Sequence, residues 1–301
     1  GDVAARMNFA SRDEQDNITD RRAGRIPTEE CAGLCELLKQ VVIPGVEVFV
    51  KPVQDYRAVV IFRGEGLSDK VADTDPQKVG VRALDPKALS AAGEKTAGIV
   101  KEFISQSLEI LKDEKPANAL LMRGFAELPH IPSMPEVFGL KPLALAVYPD
   151  YKGISRLLGM QIIEDLRDMD DQLAALKSYW QNFDFFFIHH KYTDSKGEDG
   201  NFEGKVAEIE KVDDIVPKIL EMKPDVLVVT GDHSTPALLK AHSSHPVPFL
   251  IHTPLISLTR SGGAKEFGER ACARDAWGVI ESTNLIRIAL GYAGKLKKYG
   301  A

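Results

Sequence analysis

Short runs of apolar residues alternate with helical patterns from about residue 116 onward. These runs predict strands over 117–123, 143–149, 183–190, 225–232 and 247–253. The segments between them, such as 204–222, carry apolar residues at helical spacing and predict helices. Nearly continuous apolar strands that alternate with helices are typical of a parallel sheet covered on both faces. We therefore expect an α/β fold in this part of the chain.

The first 115 residues have a different pattern, in which short strands mix with helices. The run RAVVIF at 57–62 predicts a strand, and 86–114 predicts a long helical region. The polar stretch 64–80 predicts a long loop, which in a compact domain is usually functional or mobile. The change of pattern predicts one domain over 1–115 and a second over 116–301.

Composition and charge exclude several classes of partner. The chain has 38 Lys and Arg against 44 Asp and Glu, a net charge of −6, which argues against a nucleic-acid partner. We also expect no membrane partner, because there is no basic run and no apolar stretch of the roughly 20 residues that span a bilayer. Three cysteines do not make a disulfide framework. Cys31 and Cys35 share one helical face, which favours packing over metal binding. With no secretory pattern at its start, the chain is expected in the cytoplasm.

Candidate chemistry lies where the predicted strands end. Asp194 and Glu198 follow the strand at 183–190. Asp232 is the last residue of the strand at 225–232, His233 comes directly after it, and His242 precedes the next strand. In parallel α/β sheets, ligands bind beyond the carboxyl ends of the strands. Carboxylates and imidazoles suit divalent cations such as Mn²⁺ or Zn²⁺. The pattern therefore predicts a metal site.

Simpler interpretations of the same residues remain open. The segment TDSKGEDG, taken alone, favours a surface turn. His189 and His190 end a strand, and at least one of them is expected to be structural, while His245 is expected to be a loop residue.

Adjacent residues at a strand end point apart, so Asp232 and His233 are able to face two different metals. Two cations roughly 3.5–4 Å apart can bind both the attacking and the leaving oxygen of a displacement at phosphorus.

The run VVTGDHSTPALLKAHSSHPVPFLIH resembles the metal-binding signature of cofactor-independent phosphoglycerate mutases. The segments GDVAARMNFA, FRGEGLSDKVADTDP, MRGFAELPHIPSMPEVFGL and KYTDSKGEDGNFEGKVAEIEKVD are similar to the archaeal-type branch. The resemblance covers nearly the whole chain. It implies an α/β, alkaline-phosphatase-like doubly wound sheet, here incomplete. An inserted α/β lid domain is expected over 1–115, and the C-terminal part of the catalytic core over 116–301.

The resemblance also implies the activity and its cofactors. Family members interconvert 3- and 2-phosphoglycerate through a phosphoserine in glycolysis and gluconeogenesis, and closure of the lid is expected to exclude water. They use two divalent metal ions, here Mn, Zn, Mg or Co, and no 2,3-bisphosphoglycerate. The implied metal ligands are Asp194, Glu198, Asp232, His233 and His242. Glu198 stands where many relatives have histidine.

Cations for the substrate are implied at matching motif positions. The expected substrate-binding residues are Arg6, Arg22, Arg25, Arg63, Arg123 and Lys152. Arginine suits a bidentate grip on phosphate or carboxylate, although a single arginine is often only a solvated surface charge. The most specific motifs contain Arg63 and Arg123. Lys152 aligns with a lysine that approaches the phosphate in the family.

Family members begin with a strand ending in an aspartate ligand, followed by the serine nucleophile, and both precede the segment that resembles GDVAARMNFA. We therefore expect the nucleophile upstream of Gly1, and no mutase activity from this chain alone. The expected partner is a small phosphorylated substrate, and a homo-oligomer stays open. The alternatives are another phosphohydrolase or phosphomutase of the alkaline phosphatase superfamily, or a non-catalytic metal-binding remnant.

Overall fold

The computed structural model describes residues 1–254, 264–275 and 277–296, and the chain divides into two compact units, Gly1–Ile131 and Pro132–Ala301. The elements of the first unit are β1 Asp2–Arg12, β2 Ile18–Asp20, α1 Thr28–Leu37, β3 Glu47–Gln54, β4 Arg57–Arg63, α2 Glu94–Ile110 and β5 Ala119–Glu127. Those of the second unit are α3 Met134–Phe138, β6 Pro142–Ala146, α4 Pro149–Leu157, β7 Gln161–Ile162, α5 Met169–Tyr179, β8 Phe185–His189, α6 Tyr192–Glu198, α7 Phe202–Asp213, α8 Val216–Leu220, β9 Leu227–Thr230, β10 Phe249–His252, α9 Glu269–Cys272 and α10 Leu285–Tyr292. Within these described ranges, no helix is long and apolar enough to cross a bilayer.

The first unit is an antiparallel sheet whose central strand is β1. This strand pairs with β4 on one side and with β5 on the other, while β3 continues the sheet beyond β4. Side chains alternate along β1, so that Val3 and Met7 are buried while Arg6 is exposed. Leu34 of α1 and Phe103 of α2 belong to the same core. One face of the sheet is therefore apolar, and the opposite face carries Arg6.

Predicted elements of the first unit are confirmed, with bounds that differ from the predicted ones. The strand at 57–62 is β4, and the helical region predicted over 86–114 is the helix α2 preceded by a short 3-10 turn. Phe103 of this helix meets Phe62 of β4 edge to face, with ring centroids 5.4 Å apart. Such aromatic pairs add about 0.5–1.5 kcal/mol beyond the area that they bury. Cys31 and Cys35 are free thiols buried in the core, as predicted.

The polar stretch 64–80 is held in place by hydrogen bonds, although the structure gives it only an isolated bridge and no other regular element among its described residues. Thr74 bonds the backbone of Met122 in β5 through its own amide and its hydroxyl, each at 2.9 Å. Asp73 Oδ1 accepts the amide of Gly124 at 2.8 Å. Asp75, whose side chain is fully buried, receives two hydrogen bonds from Arg21 at 2.9 and 2.7 Å. The loop is thus fastened alongside β5.

The second unit contains a parallel sheet in the order β7-β6-β8. Helices cover both of its faces. Successive residues of β8 point to opposite faces of the sheet, and each face packs against a different helix. Phe186 packs in a core with Leu173 of α5, whereas Phe185 packs with Leu290 of α10. The carboxyl ends of β6 and β8 are tied together by Gln172, whose Nε2 donates to the carbonyl oxygens of both strands. This end of the sheet leads into the segments that carry the candidate metal ligands.

The predicted five-stranded parallel sheet is wrong for three of its strands. β5 pairs antiparallel with β1 and so belongs to the sheet of the first unit, which extends to Ile131. β9 and β10 form a separate antiparallel pair. The physical reason is the connection 231–248, which has no helix in its described residues. A parallel return needs a crossover connection that usually contains a helix, whereas an antiparallel return does not.

Asp75 provides a pH-dependent test of the first unit. Burial would raise the pKa of Asp75, but the hydrogen bonds from Arg21 and the Gln77 amide bring it below its ordinary value. The stabilisation is therefore complete above the ordinary aspartate pKa of about 3.9, and it is lost as the pH falls through the lower pKa of the folded protein. We expect Asp75→Asn to cost about 3 kcal/mol at pH 7, since it leaves a partly buried arginine without its charge partner.

The measurement is urea unfolding of both proteins across the acid range. The difference in free energy of unfolding should shrink once the pH falls below about 4. Asp85→Asn, at an exposed aspartate in the same unit, is the control and should change stability by less than about 0.5 kcal/mol. A difference between wild type and Asp75→Asn that stays constant down to pH 2 would contradict the assignment.

Candidate functional site

Asp194 is the central carboxylate of the candidate site. The chain leaves β8 at His189 and enters α6, which places Asp194 in the first turn of that helix with its side chain only 12% exposed. Lys191 donates a hydrogen bond to Oδ2, and the Thr235 hydroxyl donates one to Oδ1 at 2.5 Å. Burial would raise the pKa of Asp194, but these two hydrogen bonds hold it below its usual value. The carboxylate is therefore ionised at neutral pH.

Two histidines converge on this carboxylate. The ligand atoms of Asp194, His233 and His242 all lie within 4.8 Å of one another. His242 Nε2 is 3.5 Å from Asp194 Oδ1, and the two imidazole rings lie 3.9 Å apart between centroids. One carboxylate oxygen and two imidazole nitrogens form a donor set that suits zinc and other divalent transition metals. The residues present therefore fit a metal ion.

Glu198 and Asp232 lie on either side of this cluster. Glu198 Oε1 is 3.8 Å from His242 Nε2, and its side chain is half exposed. Asp232 Oδ2 is 3.5 Å from His233 Nε2. All five residues predicted as metal ligands thus lie in one continuous series of contacts. Asp194, His233 and His242 lie together at its centre. The carboxylates of Glu198 and Asp232 lie at its two ends.

Tyr151 of α4 is a partner of Asp232 that the sequence did not predict. Its hydroxyl donates a hydrogen bond to Asp232 Oδ2. Burial would raise the pKa of Asp232, but this hydrogen bond and the nearby His233 hold it below the ordinary value. The Tyr151 ring also stacks on His189, with centroids 3.4 Å apart. Tyr151 therefore orients the carboxylate at one end of the site.

A close backbone approach holds two of these segments together. A Cβ atom at Gly197 would lie only 2.3 Å from the Thr235 carbonyl oxygen, so glycine lets α6 reach this backbone. Lys205 of α7 donates to the carbonyl oxygens of Thr193 at 3.2 Å and Thr235 at 3.0 Å. The segments that carry Asp194 and His233 are thereby fixed relative to each other.

Three further histidines, His189, His190 and His245, are not members of the cluster. Burial lowers the pKa of His189 to about 4, and among the described residues its Nδ1 has no hydrogen-bond partner. His190 Nε2 lies 2.8 Å from Glu208 Oε2 of α7. His245 Nδ1 lies 2.8 Å from the Ser243 hydroxyl. These contacts agree with the structural roles expected for a strand-end histidine and for His245.

In the first unit, Arg6 and Arg123 lie directly opposite each other in the β1-β5 ladder. Together with Asp73, Gln77 and Gly124, they line a cavity of about 340 Å³. Arg123 Nη1 is 3.7 Å from Asp75 Oδ2 and 3.5 Å from Gln77 Oε1. The buried Asp75 therefore lies beside both Arg21 and Arg123. Two adjacent guanidinium groups in one cavity suit a phosphate or carboxylate anion.

The remaining predicted substrate cations lie elsewhere. Arg63 is paired with Asp2 by hydrogen bonds of 2.9 and 2.6 Å and lines a different cavity, of about 490 Å³. Arg22 and Arg25 lie at the short turn that follows β2, and neither lines the Arg6 cavity. Lys152, in the second unit, donates to the carbonyl oxygen of Glu164 at 2.6 Å.

Sequence reasoning missed the residues that support the site. Tyr151 lies 81 positions from Asp232, and Thr235 lies 41 positions from Asp194. Lys191 is three positions before Asp194 in the same turn, a spacing that brings two side chains together and was the available signal. Gln77 and Asp73 had no signal beyond their position in the polar loop.

Comparison with known proteins identifies the family. Residues 1–118 match the family model described as 2,3-bisphosphoglycerate-independent phosphoglycerate mutase. A probable 2,3-bisphosphoglycerate-independent phosphoglycerate mutase of Aquifex aeolicus is 47% identical over 312 residues, covering 100% of this chain and 75% of the relative. The cofactor-independent phosphoglycerate mutase structure from Thermoplasma acidophilum has a TM-score of 0.69 at 26% identity, covering 98% of this chain and 77% of that one.

A second solved structure, of a protein from Pyrococcus horikoshii, has a TM-score of 0.79 at 25% identity and covers 100% of this chain and 76% of that one. This likeness and the Thermoplasma structure agree with the mixed α/β architecture described above. The identity to the Aquifex relative over three quarters of its length is decisive. This chain therefore belongs to the 2,3-bisphosphoglycerate-independent phosphoglycerate mutase family.

Proposed function

We propose that the protein interconverts 3-phosphoglycerate and 2-phosphoglycerate in glycolysis and gluconeogenesis, by metal-dependent transfer of the phosphoryl group through a phosphorylated serine. The observation that supports this most directly is the convergence of Asp194, His233 and His242 in a member of this mutase family. No serine of this chain is assigned to the nucleophile. The proposed location is the cytoplasm.

Two divalent cations, Mn, Zn, Mg or Co, are the proposed cofactors. By the family resemblance, Asp194, His242 and Glu198 would hold one, and Asp232 and His233 the other. Within the first group, His242 Nε2 lies 3.5 Å from Asp194 and 3.8 Å from Glu198. Within the second, His233 Nε2 lies 3.5 Å from Asp232 Oδ2. When bound, such cations neutralise phosphoryl oxygens and lower the pKa of a hydroxyl nucleophile. The proposal includes Glu198 as an oxygen ligand in place of the histidine of many relatives.

The chain's own residues bind and orient the substrate. Arg6 and Arg123 are the proposed anion-binding pair of the first unit, because they face one cavity from adjacent strands. Asp75 beside Arg123 restricts that guanidinium and leaves fewer rotamers to be lost on binding. Lys152 is proposed as a further cation for the phosphoryl group, and Arg22, Arg25 and Arg63 as weaker contributors. The first unit is accordingly proposed as the substrate-binding lid domain, and the second as the metal-binding core.

The metal assignment predicts the effect of removing a ligand. Asp194→Ala and His242→Ala should each weaken Mn²⁺ binding by more than about 100-fold, because a direct ligand contributes more than a residue behind it, whose loss costs 10–100-fold. Isothermal titration calorimetry on the purified chain measures this. Asp213→Ala, at an exposed aspartate of α7, is the matched control and should bind like wild type.

Equal Mn²⁺ affinity in wild type and both ligand variants would reject the cluster as the metal site. Loss of binding in the Asp213→Ala control as well would show that the effect is not specific to the cluster.

The anion assignment predicts a kinetic effect. Arg123→Met should raise the KM for 3-phosphoglycerate about tenfold or more, since a hydrogen bond to a charged group contributes about 1.5–3 kcal/mol. A coupled assay of mutase activity, on protein that includes the proposed nucleophile segment, measures KM and kcat. Arg82→Met, at an exposed arginine of the same unit, is the control.

An unchanged KM in Arg123→Met would contradict the role of the Arg6 cavity. Release of inorganic phosphate without isomerisation by the wild-type protein would instead indicate a phosphohydrolase and reject the mutase activity itself.

A further inference from the structure

The hydroxyl group of Thr235 lies between two proposed metal ligands that belong to different halves of the site. Its Oγ1 is 2.5 Å from Asp194 Oδ1 and 3.1 Å from His233 Nδ1. The Thr235 residue is 3% exposed, so water does not compete readily for these contacts. A buried hydroxyl with two such neighbours must distribute one proton and two lone pairs between them.

The chemistry of the neighbours fixes the direction of both hydrogen bonds. An ionised carboxylate only accepts, so Thr235 donates its one proton to Asp194. The Lys191 ammonium on the other oxygen of the carboxylate keeps it ionised. The hydroxyl then has only lone pairs to offer to His233, and Nδ1 of that ring must carry the hydrogen.

This direction decides which nitrogen of His233 is available to a cation. With Nδ1 protonated, Nε2 of the neutral ring keeps its lone pair. Nε2 is the atom that lies 3.5 Å from Asp232 Oδ2. The lone pair of His233 is thus presented beside the carboxylate with which it would share a metal ion.

We propose that Thr235 is a positioning residue that holds His233 in the Nδ1–H tautomer while orienting Asp194, and so couples the two halves of the metal site. The inference rests on the proposed metal-dependent function. Histidine ligands commonly donate a hydrogen bond from the N–H of their second ring nitrogen to a neighbouring acceptor, which fixes both tautomer and orientation. Here that acceptor is a hydroxyl that is itself bound to another ligand.

The backbone around Thr235 is rigid enough for this role. Its carbonyl oxygen accepts a hydrogen bond from Lys205 and lies against Gly197 of α6. The hydroxyl therefore has little freedom to leave Asp194 and His233. A positioning role requires such support, because a mobile hydroxyl would not select one tautomer.

The test reads the tautomer and the metal affinity separately. Nitrogen-15 NMR of the metal-free chain at about pH 8, above the ordinary imidazole pKa of about 6.5, distinguishes protonated from bare ring nitrogens. The His233 signals are assigned by their loss in His233→Gln. Wild type should show Nδ1–H, and Thr235→Val should shift His233 toward the Nε2–H form. Zn²⁺ affinity by calorimetry should fall about 10–100-fold in Thr235→Val.

Two further variants separate positioning from general stability. Thr235→Ser keeps the hydroxyl and should retain both the tautomer and the Zn²⁺ affinity. Thr96→Val removes another buried threonine hydroxyl, in the first unit, where it accepts from the Ser68 amide at 2.9 Å. This control should lose stability without changing either readout. If Thr235→Val does not fold, Thr235→Ala replaces it, with the same expected changes.

A folded Thr235→Val or Thr235→Ala protein that keeps the Nδ1–H tautomer and wild-type Zn²⁺ affinity would overturn the inference. Failure of the proposed function gives a different result, in which wild type binds neither Zn²⁺ nor Mn²⁺. The tautomer of the metal-free chain still reports the Thr235 hydrogen bond in that case.

Discussion

The ionised carboxylate of Asp194 is the constraint on which the polar centre of the second unit depends. A largely buried anion is costly unless it is paired and hydrogen-bonded. Lys191, Thr235 and the two histidines of the cluster all lie around this one group. Since these partners come from separate segments, satisfying the carboxylate also determines where those segments meet. The candidate metal site is in this sense a consequence of neutralising one buried charge.

The first unit also contains a buried carboxylate that is paired with cationic side chains. Asp75 is buried in the loop that lies alongside β5, and it pairs with Arg21 and lies near Arg123. The pairing offsets the cost of burying the carboxylate, and it also restrains a guanidinium at the edge of a cavity. A loop with almost no regular structure supplies this aspartate, and hydrogen bonds to β5 hold the loop in place. The long polar stretch thus supplies the carboxylate that positions Arg21 and Arg123.

The pattern of the chain predicted element types better than element partners. The runs that became β4, β6 and β8 were apolar enough to identify as strands. Cys31 and Cys35, which are free thiols, were identified as packing residues. The partner of β5 was wrong because an apolar strand pairs equally well in several sheets, and the strand itself does not encode which. β9 and β10 pair antiparallel because the segment between them forms no crossover helix.

By itself, the sequence determined the residue types of the site, their positions after strands, and the family to which the chain belongs. Only the tertiary structure decided that Asp194, His233 and His242 converge while Glu198 and Asp232 lie at the two ends of the cluster. It also brought Tyr151 to Asp232 and Thr235 to Asp194, across 81 and 41 positions of chain. The physical reason is that a hydrogen bond depends on distances and angles of a few ångströms and degrees, which spacing along the chain does not specify once the chain has turned back on itself.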